Sequence, residues 1–368
     1  MELDTERGWR GGERQVLLHA QVLTRLGHRV LVAARPTEPL ADKARAANIS
    51  VIPLSPASEF DPFAAMSLRR VVLSEGVDIV HAHSAHGVAL GALACIATRA
   101  KLVVTRHATF RLRANLASRW KYQRPDALIA VSGASQRAMI ASGIPPDRIT
   151  IVHGGSDQSH AIAPADRRVL EALGVPGQTP LVVQVAQLTP EKDPLTFVEA
   201  IHVARRSVPS LHALLVGGGD SPLPTAVEHA VAERELGGTL HLTGYRTDAD
   251  SILAAADVVA LSSKQDALPT VLFDALFCRK PICATDAGGI PEIIESGVSG
   301  LLTPVGDGAA LGQSIARVLA DSALSARLAA AAGARAPEFS IERSVEHTIA
   351  VFERVLGARL VGALSNMG

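Results

Sequence analysis

The chain has 368 residues, 48% hydrophobic and 20% charged, which is enough apolar material for a large core and unlike a disordered segment. At roughly 100–200 residues per domain, that length suggests two domains or three. Its 36 basic and 36 acidic residues cancel, which argues against a dedicated nucleic-acid binder, and three scattered cysteines (Cys95, Cys278, Cys283) exclude a disulfide framework or zinc site and fit a reducing cytoplasm.

The opening Met-Glu-Leu-Asp-Thr-Glu-Arg is acidic and polar and does not read as a signal peptide. No apolar run reaches about 18 residues, the length of a membrane-spanning helix. Few residues precede Thr5 to form a first strand, so strand one is a stub or the start is truncated. Strands are then expected at 28–34, 49–54, 77–83, 101–105, 127–131 and 149–153. Helical patterns lie between them near 13–26, 62–75, 86–98, 113–123 and 134–142. Strands alternating with helices imply βαβ units and a parallel sheet covered on both faces.

Residues Gly154 to about Gln178 are rich in glycine and proline and read as a linker or hinge. The pattern then restarts, with strands at 181–186, 211–216, 239–243, 258–261 and 281–284. Helices are expected near 194–206, 223–235, 268–278, 289–296, 307–320 and 322–333. The fold class is therefore α/β, with two Rossmann-like doubly wound parallel-sheet domains facing a cleft. The expected divisions are 1–160, 161–339, and a closing helix and tail at 340–368 with Ser340 as N-cap. Ligands of such sheets bind at the carboxyl ends of the strands.

The zero net charge hides an asymmetry. Residues 1–160 hold 20 basic and 13 acidic residues, and the remainder reverses the balance. Arg99 to Arg124 contains eight basic residues and no acidic one. That half is suited to something anionic.

Several motifs carry chemistry. Gly11-Gly12 opens a helix, which is either a tight strand–helix turn or a place where backbone N–H groups approach an anion. Lys192 follows a second-domain strand in Gln187-Leu-Thr-Pro-Glu-Lys-Asp193, either as a phosphate partner or as a solvated lysine. Asp266 and Asp274 are eight residues apart, flanking Thr270, and can share one helix face if the first stands at its N-terminal end. As acceptors they suit hydroxyl-rich sugars; the alternative is a capping Asp266 and a solvated Asp274.

His107 ends the strand Thr105-Arg-His, poised to exchange a proton with a ligand or else simply structural. His81 and His83 also end a strand. They are expected on alternate faces, so that at most one enters a given site, and no nearby carboxylate or cysteine completes a metal set. Glycine turns at Gly217-Gly-Gly-Asp220 and Asp286-Ala-Gly288-Gly289 follow second-domain strands, the latter again before a helix N-terminus.

Taken in order and spacing, these pieces resemble the retaining nucleotide-sugar glycosyltransferases of family 4, with the GT-B fold. The resemblance spans nearly the whole chain, including Val-Thr-Arg-His107, Ile129-Ala-Val-Ser132, Leu-Val-Gly217-Gly-Gly, Leu-Thr-Gly244-Tyr and Gly288-Gly-Ile-Pro-Glu292. It implies that Lys192 binds the donor diphosphate and stabilises the leaving group. It implies that Asp274 holds the ribose hydroxyls and Asp266 sits by the donor sugar, with Thr270 and Gln187 in the same donor site. Gly11 and Gly12 would approach the diphosphate, and His107 the sugar and reacting centre. The family usually needs no metal and no cofactor beyond the nucleotide sugar. Asp248-Ala-Asp250, the nearest thing to a metal-binding Asp-x-Asp pair, reads as a helix-start cap.

Three departures stand out. The family's two glutamates are Asp266 and Asp274 here, each about 1.3–1.5 Å shorter in reach. The arginine that usually accompanies the lysine is Gln187, and the hinge asparagine is Gly154. Arg14 or Arg10 would compensate for the missing charge, in which case Arg14→Ala weakens donor binding.

The expected activity is sugar transfer from a nucleotide-diphosphate sugar to a glycan or glycolipid acceptor, a surface-polysaccharide precursor. A weakened or inactive homologue acting as a binding protein, and a nucleotide-sugar epimerase, are the rival readings. Arg14, Arg106, Arg113 and Trp120 are expected on the acceptor or membrane side. The basic segment ending in Arg119-Trp-Lys-Tyr122 suits peripheral contact at the inner membrane face, or is a solvated helix face with Trp120 in the core. A cytoplasmic location follows, with no nucleic-acid partner.

Overall fold

The computed structural model describes residues 1–157, 164–219 and 222–360. Asp220, part of the expected linker and the end of the tail lie outside the described residues. The chain divides into two compact units: Met1–Asp157 with the chain from Phe339 onward, and the intervening stretch to Glu338.

In the first unit, β1 (Glu2–Leu3), β2 (Leu31–Ala34), β3 (Ser50–Pro53), β4 (Ile79–Ala82), β5 (Lys101–Arg106), β6 (Ala127–Ala130) and β7 (Ile149–Ile151) form one sheet. Its order is β3-β2-β1-β4-β5-β6-β7, and every pairing is parallel. Helices α1 (Gly11–Arg25), α2 (Pro39–Ala46), α3 (Pro62–Ser74), α4 (Ala85–Ala94), α5 (Leu116–Gln123) and α6 (Gly133–Ile140) cover it. The stub strand is real and central: two residues are enough because Glu2 and Leu3 pair on both sides, with β2 and with β4.

The second unit begins with α7 (Arg167–Ala172) and repeats the plan with β8 (Leu181–Val185), α8 (Pro194–Ser207), β9 (His212–Val216), α9 (Leu223–Glu233), β10 (Leu240–Gly244), α10 (Ala249–Ala255), β11 (Val258–Leu261), α11 (Thr270–Phe277), β12 (Ile282–Thr285), α12 (Ile290–Ile293), β13 (Leu301–Thr303), α13 (Gly308–Ala320) and α14 (Ser322–Arg335). Its sheet runs β10-β9-β8-β11-β12-β13, again all parallel. The interior strands β8, β9, β11 and β12 are almost wholly buried, as sheets covered on both faces require. Val182, Phe197, Ile201, Leu215, Leu311 and Ile315 belong to its core.

The last helix, α15 (Ile341–Leu356), starts as expected, with Ser340 Oγ accepting from Arg343 N. It is part of the first unit's body: Ile341, Val345, Ile349 and Phe352 pack with Leu18, Val22, Val103 and Ile129.

Three elements were not expected, α2, α7 and β13, and of α10 only the start was. Each is short, and a few apolar residues show no period to read. Helix α7 lies in the stretch expected to be linker, where Asp166 caps its first turn and Leu170 is buried. The expected Asp248 cap stands at the start of α10, but its carboxylate binds Arg246 Nε and Nη2 at 2.7 and 2.8 Å rather than the helix.

Each sheet reverses its strand order once, at β1/β4 and at β8/β11. Loops leave these points in opposite directions, and the resulting crevice is where open α/β sheets take ligands.

Candidate functional site

In the second unit, the loop after β8 and the loop after β11 meet at the switch point. Lys192 Nζ is hydrogen-bonded to Asp266 Oδ2, and Ser263 Oγ donates to the same oxygen at 3.3 Å. Lys192 is thus tethered, with about a quarter of its side chain exposed. The two loops are tied beneath it. Ser262, fully buried, places its hydroxyl 3.0 and 2.9 Å from the carbonyl oxygens of Lys192 and Asp193. Buried Gln184 brackets the same serine at 3.1 Å. Lys264 N and Gln265 N also donate to Glu191 O, at 2.7 and 3.2 Å.

Ser262, Ser263 and Gln184 are supports of these loops that the sequence reading did not single out. The signal for Gln184 was a polar residue inside the otherwise apolar β8.

Asp266 lies in the loop and Pro269 is the N-cap of α11, so Asp266 is neither a cap nor on the helix. Thr270 opens the helix, and Asp274 lies one turn on, 3% exposed and not solvated. Gln187 shares the Lys192 loop, and its carbonyl accepts from Thr189 N at 2.9 Å.

The glycine turns shape these loops. Gly217 has φ +147°, and a Cβ there would lie 2.0 Å from Ala186 O, so only glycine lets the β9 turn pack against the Lys192 loop. Gly288 and Gly289 precede α12, which has four residues, too short for an N-terminal anion site. Gly289 N donates to Asp266 O at 3.0 Å, fixing the backbone of that acid.

In the first unit, Gly11 and Gly12 open α1 as expected, and a Cβ on Gly12 would meet nothing within 4 Å. Arg14 Nη2 donates to Ser156 Oγ at 3.3 Å. His107 follows β5, half-buried, with Nε2 3.2 Å from His83 Nδ1.

His81 and His83 overturn the expectation that they face apart. Strand side chains alternate with period two, so residues two apart share a face. Both reach Glu2 Oε2, from His81 Nδ1 at 3.0 Å and His83 Nε2 at 2.5 Å. A carboxylate therefore does join the pair, and these three form a group of metal-ligating residue types. The parallel register sets Glu2 directly opposite His81, which sequence distance hides. Burial is the largest influence on Glu2 and favours its neutral form, but the two histidines together outweigh it and hold the carboxyl well below its usual range. Burial also keeps His107 and His83 below the ordinary histidine range and takes His19 down to about 3.

The basic segment is less uniform than its sequence. Arg106 is buried, giving Nη1 to Tyr122 Oη at 3.2 Å and Nη2 to Phe110 O, so it is spent inside the unit and does not belong to an acceptor or membrane face. Lys121 is buried on Glu59. Trp120 is half-buried, 6.2 Å from the Phe60 ring and under the Arg124 guanidinium. Arg111, Arg113 and Arg119 remain exposed, as do Phe110 and Leu116.

The sequence pattern of Glycosyltransferase Family 4 matches residues 9–160, and that of Glycosyl transferases group 1 matches residues 166–335. The chain belongs to glycosyltransferase family 4. It is 29% identical to the alpha-maltose-1-phosphate synthase of Mycobacterium tuberculosis, covering 75% of this chain and 79% of that one. EpsD of Bacillus subtilis, named as a glycosyltransferase, is 26% identical over 80% of this chain and 82% of its own. The solved structure of Anabaena Alr3699/HepE in complex with UDP and glucose matches with a TM-score of 0.84 at 22% identity, over 96% of this chain and 98% of that one. The fold is that of GT-B glycosyltransferases. Among the described residues of this glycosyltransferase, no helix is long and apolar enough to cross a membrane.

Proposed function

We propose that this glycosyltransferase moves a sugar from a uridine-diphosphate sugar to a hydroxyl of a glycan or glycolipid acceptor, with retention at the anomeric carbon and without a metal ion or other cofactor. The carrying observation is Lys192 held on Asp266 at the β8/β11 switch point. In the step, the bond from the anomeric carbon to the diphosphate breaks and a bond to the acceptor oxygen forms. The acceptor's proton leaves with the diphosphate. The diphosphate gains negative charge, and a preplaced ammonium stabilises it without reorganising at that moment. Asp266 keeps Lys192 in place until the phosphate competes for it. Asp274 and Thr270, on α11, take the donor's ribose end, and His107 in the first unit meets the sugar.

UDP and glucose are bound by the Anabaena neighbour, which supports the choice of donor. The acceptor is assigned as a surface-polysaccharide precursor and the place of work as the cytoplasmic face of the membrane. Exposed Phe110 and Leu116 beside Arg111, Arg113 and Arg119 support this.

The test is UDP release from a panel of nucleotide sugars, with and without glycolipid acceptors, for wild type and Lys192→Ala. Release that depends on Lys192 and retains anomeric configuration supports the reading. Nucleotide-sugar binding without release would instead assign a binding role, for which Gln187 in place of a cation is the motive. Release unaffected by Lys192→Ala overturns the mechanism.

A further inference from the structure

We infer that Glu2, acting through His83, is a positioning residue that fixes His107 in one tautomer and turns its Nδ1 lone pair toward the substrate. The inference rests on the reading above only in taking His107 to face the sugar.

The argument starts from proton counting. Glu2 Oε2 lies 2.5 Å from His83 Nε2, and both side chains are buried. An ionised carboxylate can only accept, so His83 must carry its proton on Nε2. A neutral His83 then has a bare Nδ1, an acceptor. That atom is 3.2 Å from His107 Nε2, with the two rings stacked at 29°. Only an N–H on His107 Nε2 completes that bond, which leaves His107 Nδ1 without a proton. Among the described residues, no protein partner occupies His107 Nδ1. The chain therefore runs from a sealed carboxylate to a half-buried ring and sets that ring up as an acceptor for a hydroxyl.

The surroundings oppose the alternative in which His83 is an imidazolium. His83 sits among Glu2, His81 and His19, its ring centroid 4.1 Å from that of His81 and 6.5 Å from that of His19. Burial and a neighbouring imidazole both disfavour a second charge there. His81 supports the same oxygen less well: its Nδ1 is 3.0 Å away but off the line of a good hydrogen bond, while its Nε2 meets Thr105 Oγ1 at 2.7 Å. The register explains the assembly. Glu2 stands opposite His81, and His81 opposite Val103, so Glu2, His81, His83 and Thr105 share one face of the sheet. A ring oriented by a second group, itself oriented by a carboxylate, recurs wherever an imidazole must be held in one tautomer.

The primary measurement is the tautomer itself. Ring nitrogen spectra of the full chain, labelled with 15N-histidine and assigned with His107→Gln, are expected to show His107 protonated on Nε2 alone at pH 7. A proton on Nδ1, or an averaged mixture, overturns the proposal. Glu2→Gln and the milder disconnection His83→Leu are expected to turn that single form into a mixture; an unchanged His107 signal in both folded variants overturns it. Metal analysis of the purified protein is expected to find none bound to this group. One tightly held ion per chain would make Glu2, His81 and His83 ligands instead and overturn the relay.

Kinetically, Glu2→Gln is expected to lower kcat about tenfold, because His107 then holds the substrate hydroxyl in only part of the population and a misplaced group can cost up to about a hundredfold, with donor KM unchanged. Added to His107→Ala it should cost nothing more, whereas losses that multiply would mark Glu2 as merely structural. If the wild type releases no UDP, the functional reading fails, and the spectra still decide the tautomer.

Discussion

The Cβ that Gly288 lacks would stand 1.8 Å from the carbonyl oxygen of Asp266. Gly288 also has φ +57°, a conformation side chains rarely adopt. The glycine after β12 is therefore the seat on which the Asp266 loop rests, and Asp266 in turn holds Lys192. Gly288→Ala meets both backbone strain and a clash with main chain that has no rotamer to yield. It is expected to destabilise the second unit by about 2 kcal/mol or more, the range of strained backbone positions. Urea unfolding measures that loss. Titration with UDP should show weaker binding as the Asp266 loop is displaced. A variant with unaltered midpoint and unaltered UDP affinity would show that the loop is not set by this contact.

The first unit should be acid-labile, with buried Asp4 and Glu13 opposing the trend. His19 is pushed down to about 3, chiefly by burial, and His83 and His107 are pushed down by the same cause. A histidine kept neutral by folding contributes stability above its unfolded pKa of about 6.5 and loses it as the pH falls, each by up to about 1.4 kcal/mol per pH unit. Glu2, held below its usual range, adds to the loss at lower pH. Asp4 and Glu13 run the other way, Asp4 the further. Burial raises the Asp4 carboxyl to about 6, so its contribution is present below about pH 4 and lost as the pH rises through 6. Asp4→Asn is therefore expected to stabilise the protein at pH 8 by about 2 kcal/mol and to lose that advantage at pH 4. Guanidinium unfolding at the two pH values checks it. An equal gain at both would mean that the buried charge is not the cause.

The segment after His107 offers a direct test of membrane contact. Phe110 and Leu116 are 65% and 83% exposed beside exposed Arg111, Arg113 and Arg119. Near an anionic bilayer each basic side chain contributes about 1 kcal/mol, falling off within a Debye length. Arg111→Ser with Arg113→Ser is expected to reduce co-sedimentation with phosphatidylserine vesicles by roughly tenfold or more, and raised salt should do the same to wild type. Neutral vesicles should retain little of either. Arg106→Ser should instead lower stability, because Arg106 is bonded to Tyr122 and the Phe110 carbonyl. Binding that ignores both charge and salt would sink the idea.

The sequence by itself determined the period of strand and helix, and with it two parallel α/β sheets. That legibility is physical. Buried strands must be apolar throughout, and helices must show an apolar stripe, whatever the partner. The Lys192 loop could also be placed, because it follows a strand and the chain itself carries it there; Asp266 and Asp274 could not be set on one helix face, because Asp266 stays in the loop before Pro269. The short elements α2, α7 and β13 could not be placed, since three or four apolar residues have no period.

What only the tertiary structure decided is what meets what across strands. Glu2 stood in an apparent stub of a strand; the register with β4 made it the partner of His81 and His83. Arg106 looked like one of eight surface cations until its strand turned it inward onto Tyr122. Gly288 read as a turn before a helix; only the fold shows the Asp266 carbonyl packed against it. In each case the deciding quantity is a contact between residues far apart in the chain, set by sheet order and register. Local composition reports a residue's own preferences, whereas the neighbour that fixes its charge, its tautomer or its need for a missing side chain arrives only on folding.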